Sequence, residues 1–131
     1  MRTVLWDKNG DPILYCTGSG VVYTLANRPV GVLLEPGADG YRQVVDFMGG
    51  HRGWYRGGLM WDREGCLFAF GKGVQAPLEL PRVKPLRAEL KPIPAPGHPL
   101  ALPSSLPPFR PQWSQYDAAS FFGTEEEVER G

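Results

Sequence analysis

An excess of charge of either sign is missing from this 131-residue chain, whose fourteen basic residues balance fourteen acidic ones. No net field therefore draws it onto nucleic acid or an anionic membrane by bulk charge. Cysteine is scarce as well. Cys16 and Cys66 are too few for the disulfide framework of a small secreted scaffold, and neither belongs to a Cys-x-x-Cys pair, so the chain reads as reduced and cytoplasmic. No run approaches the roughly twenty apolar residues of a membrane helix, and the opening MRTVLWDKNGD turns acidic where a signal peptide is apolar. Helical periodicity is also absent from the first part of the chain, where no window free of breakers sustains an apolar period of 3.6.

Glycine and proline are abundant, and they are segregated. Of 17 glycines, 14 fall at or before Gly73, whereas 11 of the 14 prolines lie between Pro77 and Pro111. This shift places a boundary near residue 76. Before it, short runs rich in Val, Leu, Phe, Trp and Tyr alternate with glycine-bearing turns, the pattern of β-strands joined as hairpins. The first part, 1–76, is expected to be the folded all-β unit. A proline-rich extended arm (77–111), a short aromatic helical docking motif (112–123) and an acidic tail (124–131) follow it.

The runs repeat. Val4-Leu5-Trp6-Asp7-Lys8-Asn9-Gly10 followed by Ile13-Leu14-Tyr15 is echoed by Leu59-Met60-Trp61-Asp62-Arg63-Glu64-Gly65 followed by Leu67-Phe68-Ala69-Phe70. Two weaker copies lie between them, Val22 to Leu34 and Val45 to Tyr55, giving four copies of one hairpin. Gly10, Asn27, Gly50 and Gly65 are placed at the turn position that requires φ > 0, with Asp7 and Asp62 opening Asx-type turns. Trp6, Tyr23, Asp46 and Trp61 are aligned as equivalents, so that Thr24 and Phe47 stand where the other copies carry Asp. A lone hairpin cannot bury its apolar face, so four of them should pack about a shared centre.

With Gly53-Trp54-Tyr55, a proline-rich stretch and a terminal Trp113-Ser114 near Phe121-Phe122, the chain resembles the small bacterial four-fold β-flower proteins. The resemblance implies four hairpin petals around a short axis, forming a shallow barrel-like cup. It implies no catalytic residue.

The arm carries apolar residues, among them Leu78, Leu90, Ile93, Leu100 and Phe109, in greater number than a solvated linker needs. Part of it should lie in an apolar groove of its own core or of a partner. After it, Ser114 with Asp117 is read as a capping box opening a helix of about two turns, with Gly123 just past its end. Such a helix is unstable alone, so Trp113, Tyr116, Phe121 and Phe122 are the expected partner-binding residues, docking on the chain's own core, a neighbouring subunit or another protein.

No motif assigns chemistry. His51, Cys16 and Cys66 would make a nucleophilic pair only if the fold joined them beside an orienting group. The two histidines and two cysteines lack metal-ligand spacing, and no phosphate-binding loop is present. Arg52, Trp54, Tyr55 and Arg56 could stack on bases, although strand packing explains them too. The reading is an interaction or assembly module with no enzyme activity, cofactor or metal, whose partner is a protein bound through the arm. The alternative is a cup that holds a lipid or another small apolar ligand.

Overall fold

A computed structural model describes residues 2–123. Eight strands form a closed antiparallel barrel in sequence order: β1 (Thr3–Trp6), β2 (Pro12–Cys16), β3 (Val21–Thr24), β4 (Pro29–Leu33), β5 (Arg42–Val45), β6 (His51–Arg56), β7 (Leu59–Asp62) and β8 (Leu67–Phe70). One helix, α1 (Ala118–Phe122), follows. The four expected hairpins are present as β1–β2, β3–β4, β5–β6 and β7–β8.

Each hairpin turn is built from the same local chemistry. Asp7 Oδ1 accepts the N–H groups of Asn9 and Asp11, Asp46 Oδ1 those of Met48 and Gly50, and Asp62 Oδ1 those of Glu64 and Cys66. In the second hairpin Thr24 Oγ1 accepts from Arg28 N. The residue closing each turn has positive φ: Gly10, Asn27, Gly49 and Gly65. The third unit thus differs by one residue from the sequence alignment. Gly49 rather than Gly50 takes the left-handed position, Asp46 is the counterpart of Asp7 and Asp62, and Val45 is the counterpart of Trp6 and Trp61. Adjacent glycines made either register sterically possible, and the Asp46 carboxylate decides between them by capping two N–H groups.

Just beyond each turn the register slips by one residue, leaving Ile13, Val30, Arg52 and Phe68 as the extra residue on the second strand. Such a bulge bends the strand and sharpens its twist, which lets a short sheet close on itself. Alternation along the strands then separates two layers. Leu5, Leu14, Cys16, Val22, Leu33, Val44, Met60, Phe68 and Ala69 share the lumen core. Tyr15, Tyr23, Val32 and Val45 pack on one side of the outer face, and Trp54, Trp61 and Leu67 on another.

The proline-rich segment, which lacks helix and strand throughout, covers that outer layer as a belt. Leu78 and Leu80 join Trp61 and Leu67 on the fourth hairpin. Lys84 N donates to Gly10 O on the first, and Trp6 Nε1 donates to Lys84 O. At the second, Asn27 Nδ2 donates to Glu89 O, Lys91 N donates to Asn27 Oδ1, and Tyr23 OH donates to Ile93 O. The Leu100 carbonyl lies against Gly49 on the third, where an added Cβ would come within 2.6 Å of it. Arg110 N donates to Gly65 O, returning the belt to the fourth hairpin. The segment therefore runs in a groove of its own barrel, and its two ends overlap on Trp61 and Leu67.

Three of the four turn residues are glycine for two reasons at once. Positive φ disfavours a Cβ, and at Gly10, Gly49 and Gly65 the belt backbone occupies the place a Cβ would take. Asn27 tolerates positive φ and extends its amide to the belt instead, turning a packing contact into two hydrogen bonds.

Candidate functional site

The four residues singled out at the end of the chain gather at the turn end of the barrel. Leu67 N donates to Gln112 O and Ser114 N donates to Leu67 O, which lays Trp113 beside β8 as a parallel bridge. Ser114 is consequently buried in a strand-like contact and does not start the helix. The N-cap is Asp117, three residues later: its carboxylate accepts from Ser120 N, and Ser120 Oγ accepts from Asp117 N. The Ser120 backbone and hydroxyl donors hold the Asp117 carboxyl below its usual range. Gly123 closes α1 at φ 70°, as its place in the sequence predicts.

Helix α1 is a plug. Phe121 and Phe122 are buried in the lumen core with Leu5, Leu14 and Met60. Phe121 stacks on Phe68 with ring centroids 4.1 Å apart and meets Phe122 edge-on at 4.9 Å. Two strand positions beside these rings are glycine: a Cβ on Gly53 would meet first the Trp61 carbonyl and then Phe121 Cζ at 2.8 Å, and one on Gly31 first the Val45 carbonyl and then Phe122 Cε1 at 3.0 Å. Close approach of the neighbouring strand's backbone and of the α1 rings together leaves no room for a side chain at either position. Arg52, the extra residue of the third hairpin, is paired with Asp46 at 2.6 Å and lies against Gly123.

Trp113 and Tyr116 are half-buried. Trp113 packs near Phe70 (6.0 Å) on the outer layer, while Tyr116 meets Phe121 edge-on at 6.3 Å and exchanges polar contacts with Arg63 and Glu64. Beside Tyr116 lies an open groove of about 520 Å³ whose lining mixes Trp113 and Tyr116 with Glu64, Arg110, Gln112 and Gln115. The lumen itself is filled by side chains, so an apolar ligand in the cup would have to take the place of the Phe121-Phe122 pair.

The other candidate groups are dispersed. Cys16 faces the lumen, where burial pushes its thiol up to about 12. Cys66 is buried in the fourth turn, its Sγ accepting from Gln112 Nε2. His51 lies in another hairpin against Trp54 (5.1 Å), with burial lowering its pKa and Arg63 lowering it further. The aromatic and basic cluster divides: Trp54 is buried under the belt, Tyr55 packs on the lumen core, Arg52 pairs with Asp46, and Arg56 sits over Tyr41. Among the described residues no group of three His, Cys, Asp or Glu side chains could hold a metal ion, and no helix is long and apolar enough to cross a membrane. The acidic tail, 124–131, lies outside the described residues.

A closed barrel of four like hairpins, each opened by a capped turn and closed by a positive-φ residue, defines a small all-β repeat protein. The family comparison is more specific: a model for the 4-fold beta flower proteins matches residues 3–122. The match includes the belt and α1 as well as the hairpins, and the chain belongs to that family. No curated protein and no solved structure matches. The family description names a fold and no activity.

Proposed function

We propose that this protein is a non-catalytic interaction or assembly module, working in the reducing cytoplasm that its two free thiols suit. The barrel is the platform, and the arm forms the platform's outer layer and its plug. One observation carries this reading. Met48, Leu100 and Leu102 are 94%, 95% and 85% exposed around the third hairpin, while the other large apolar residues of the arm are half-buried or, at Ile93 and Leu106, 51% and 37% exposed. Clustered large apolar side chains left in water on a folded surface mark interaction sites. Of the residues expected to dock, on the chain's own core, a neighbouring subunit or another protein, Phe121 and Phe122 fill the chain's own barrel, and Trp113 and Tyr116 lie half-buried on it.

Native mass spectrometry of the full chain tests the proposal, with a pull-down by the immobilised protein beside it. A multimer or a specific protein complex is the expected result. A monomer that retains an apolar small molecule favours the cup reading. A monomer that retains nothing and captures nothing overturns the proposal.

A further inference from the structure

The four-fold repeat provides an internal control for what is unusual at each petal. At the two positions after the turn-opening residue, hairpin 1 carries Lys8-Asn9 and hairpin 4 carries Arg63-Glu64, whereas hairpin 2 carries Leu25-Ala26 and hairpin 3 carries Phe47-Met48. Four turns of like geometry thus present charged or polar tips on one half of the barrel and apolar tips on the other. The belt follows the same division. As it passes hairpins 1 and 2 it bears Arg82, Lys84, Arg87, Glu89 and Lys91, but from Pro92 to Phe109 there are 18 residues without Asp, Glu, Lys or Arg. Its most exposed apolar side chains, Leu100 and Leu102, belong to this neutral stretch. They are fixed beside hairpin 3 by the contact of the Leu100 carbonyl with Gly49 and by Gln43 Nε2 donating to Leu102 O.

We infer that this face, centred on Met48 and Leu100, is the surface through which two copies of the chain pair. The inference rests on the assembly reading above and names its partner. At a two-fold axis every group meets its own counterpart, so a charge there faces a like charge. A face free of charge is self-compatible. The same neutrality disfavours the other occupants: an anionic membrane is held by basic residues flanking the apolar ones, and a charged partner protein needs complementary charge to select it. Of the charged side chains on this half of the barrel, Arg52 pairs with Asp46, Lys91 with Glu89, and Arg42 with the carbonyls of Leu33 and Leu34, while Arg28 at the end of the second turn is exposed. A chain of zero net charge adds no long-range repulsion between copies.

Sedimentation equilibrium of the full chain, up to high-micromolar concentration, tests the pairing. The wild type is expected to dimerise. Met48→Glu and Leu100→Glu, both at exposed positions, should weaken association about a hundredfold, because each places like charges across the axis. Lys8→Glu, at the tip of hairpin 1, should leave it unchanged. Circular dichroism melts of all three variants are expected to match the wild type, so that lost association is not lost folding. A wild type that stays monomeric overturns the inference, and so does a dimer that Leu100→Glu leaves intact. Binding of the monomer to phosphatidylglycerol vesicles, or to another protein in a Leu100-dependent way, refutes self-pairing while the interaction reading survives.

Discussion

Replacing Phe121 by Ala tests whether the plug is an integral part of the barrel core. The Phe121 ring is 2% exposed, stacks on Phe68 at 4.1 Å, and lies over Gly53. Truncating a buried phenylalanine costs about 3 to 5 kcal/mol, the larger values applying where the site cannot collapse. Here collapse is hindered, because part of the lining is glycine backbone with no side chain to move inward. The expected loss is therefore in the upper half of that range, about 4 to 5 kcal/mol, a large part of the about 5 to 15 kcal/mol that holds a typical domain together. For a domain of this size about 4 °C accompanies each kcal/mol, so the melting temperature should fall by about 16 to 20 °C. Urea unfolding followed by tryptophan fluorescence gives the free energy directly, and the midpoint should drop at unchanged slope. Deleting residues 112–131 should lower stability by at least as much and by the same amount at every protein concentration, because the plug sits in its own barrel. A Phe121→Ala loss below about 1 kcal/mol would refute the argument that glycine backbone prevents collapse. A deletion effect that shrinks on dilution, as the intact protein loses stability, would show instead that the mouth is filled by another copy's helix.

Three further outcomes follow from the turns, His51 and the belt. Asp62→Ala leaves the Glu64 and Cys66 N–H groups without their acceptor in a buried turn and should cost about 1 to 3 kcal/mol, whereas Thr24→Ala, removing one hydrogen bond at a more exposed turn, should cost less than half as much in the same urea titration. Burial, with a further contribution from Arg63, holds the His51 pKa below its unfolded value. The unfolded chain then binds more protons between the folded pKa and about 6.5, so stability should fall as pH drops through that window, and His51→Gln should flatten the slope. In limited proteolysis the first cut should come in the exposed, weakly bonded part of the belt, by chymotrypsin after Leu100. Tryptic cleavage after Arg82, whose carbonyl lies against Gly10 next to the Lys84 backbone that bridges Gly10 and Trp6, should be slower, and the reverse order would contradict the docking described here.

The hairpins were legible in the sequence because their chemistry is local: an Asp that caps its own turn and a Gly or Asn that accepts positive φ lie within four residues of each other. The third unit slipped by one residue where Gly49 and Gly50 stand side by side and propensity cannot choose. The helix start was misplaced for a tertiary reason. Ser114 has the sequence credentials of an N-cap, but its N–H is taken by the Leu67 carbonyl, and Asp117 caps in its place. The course of the belt was only half legible. Its apolar content shows that it needs cover, but its anchors are largely backbone carbonyls meeting residues 59 to 88 positions away, and a carbonyl carries no sequence signature. The four aromatic residues near the C-terminus were identifiable as needing a surface. Which surface was not legible, because Gly31 and Gly53 beside the rings are demanded equally by the close approach of the Val45 and Trp61 carbonyls.

The barrel has one weak seam. Most neighbouring strands share three or four paired residues, but β1 and β8 share a single pair, Trp6 with Phe70. Both residues of that pair are held by the arm, Trp6 through its Nε1 donating to Lys84 O and Phe70 through packing with Trp113. The arm acts as a hoop that holds the first and last staves of a cask together. Without it, 1–76 would be a sheet with two free edges, each exposing unpaired N–H and C=O groups that invite pairing with another chain. The length of this chain beyond its last strand is in that sense a guard against edge-to-edge aggregation, and a shortened chain would fail first by associating through β1 and β8.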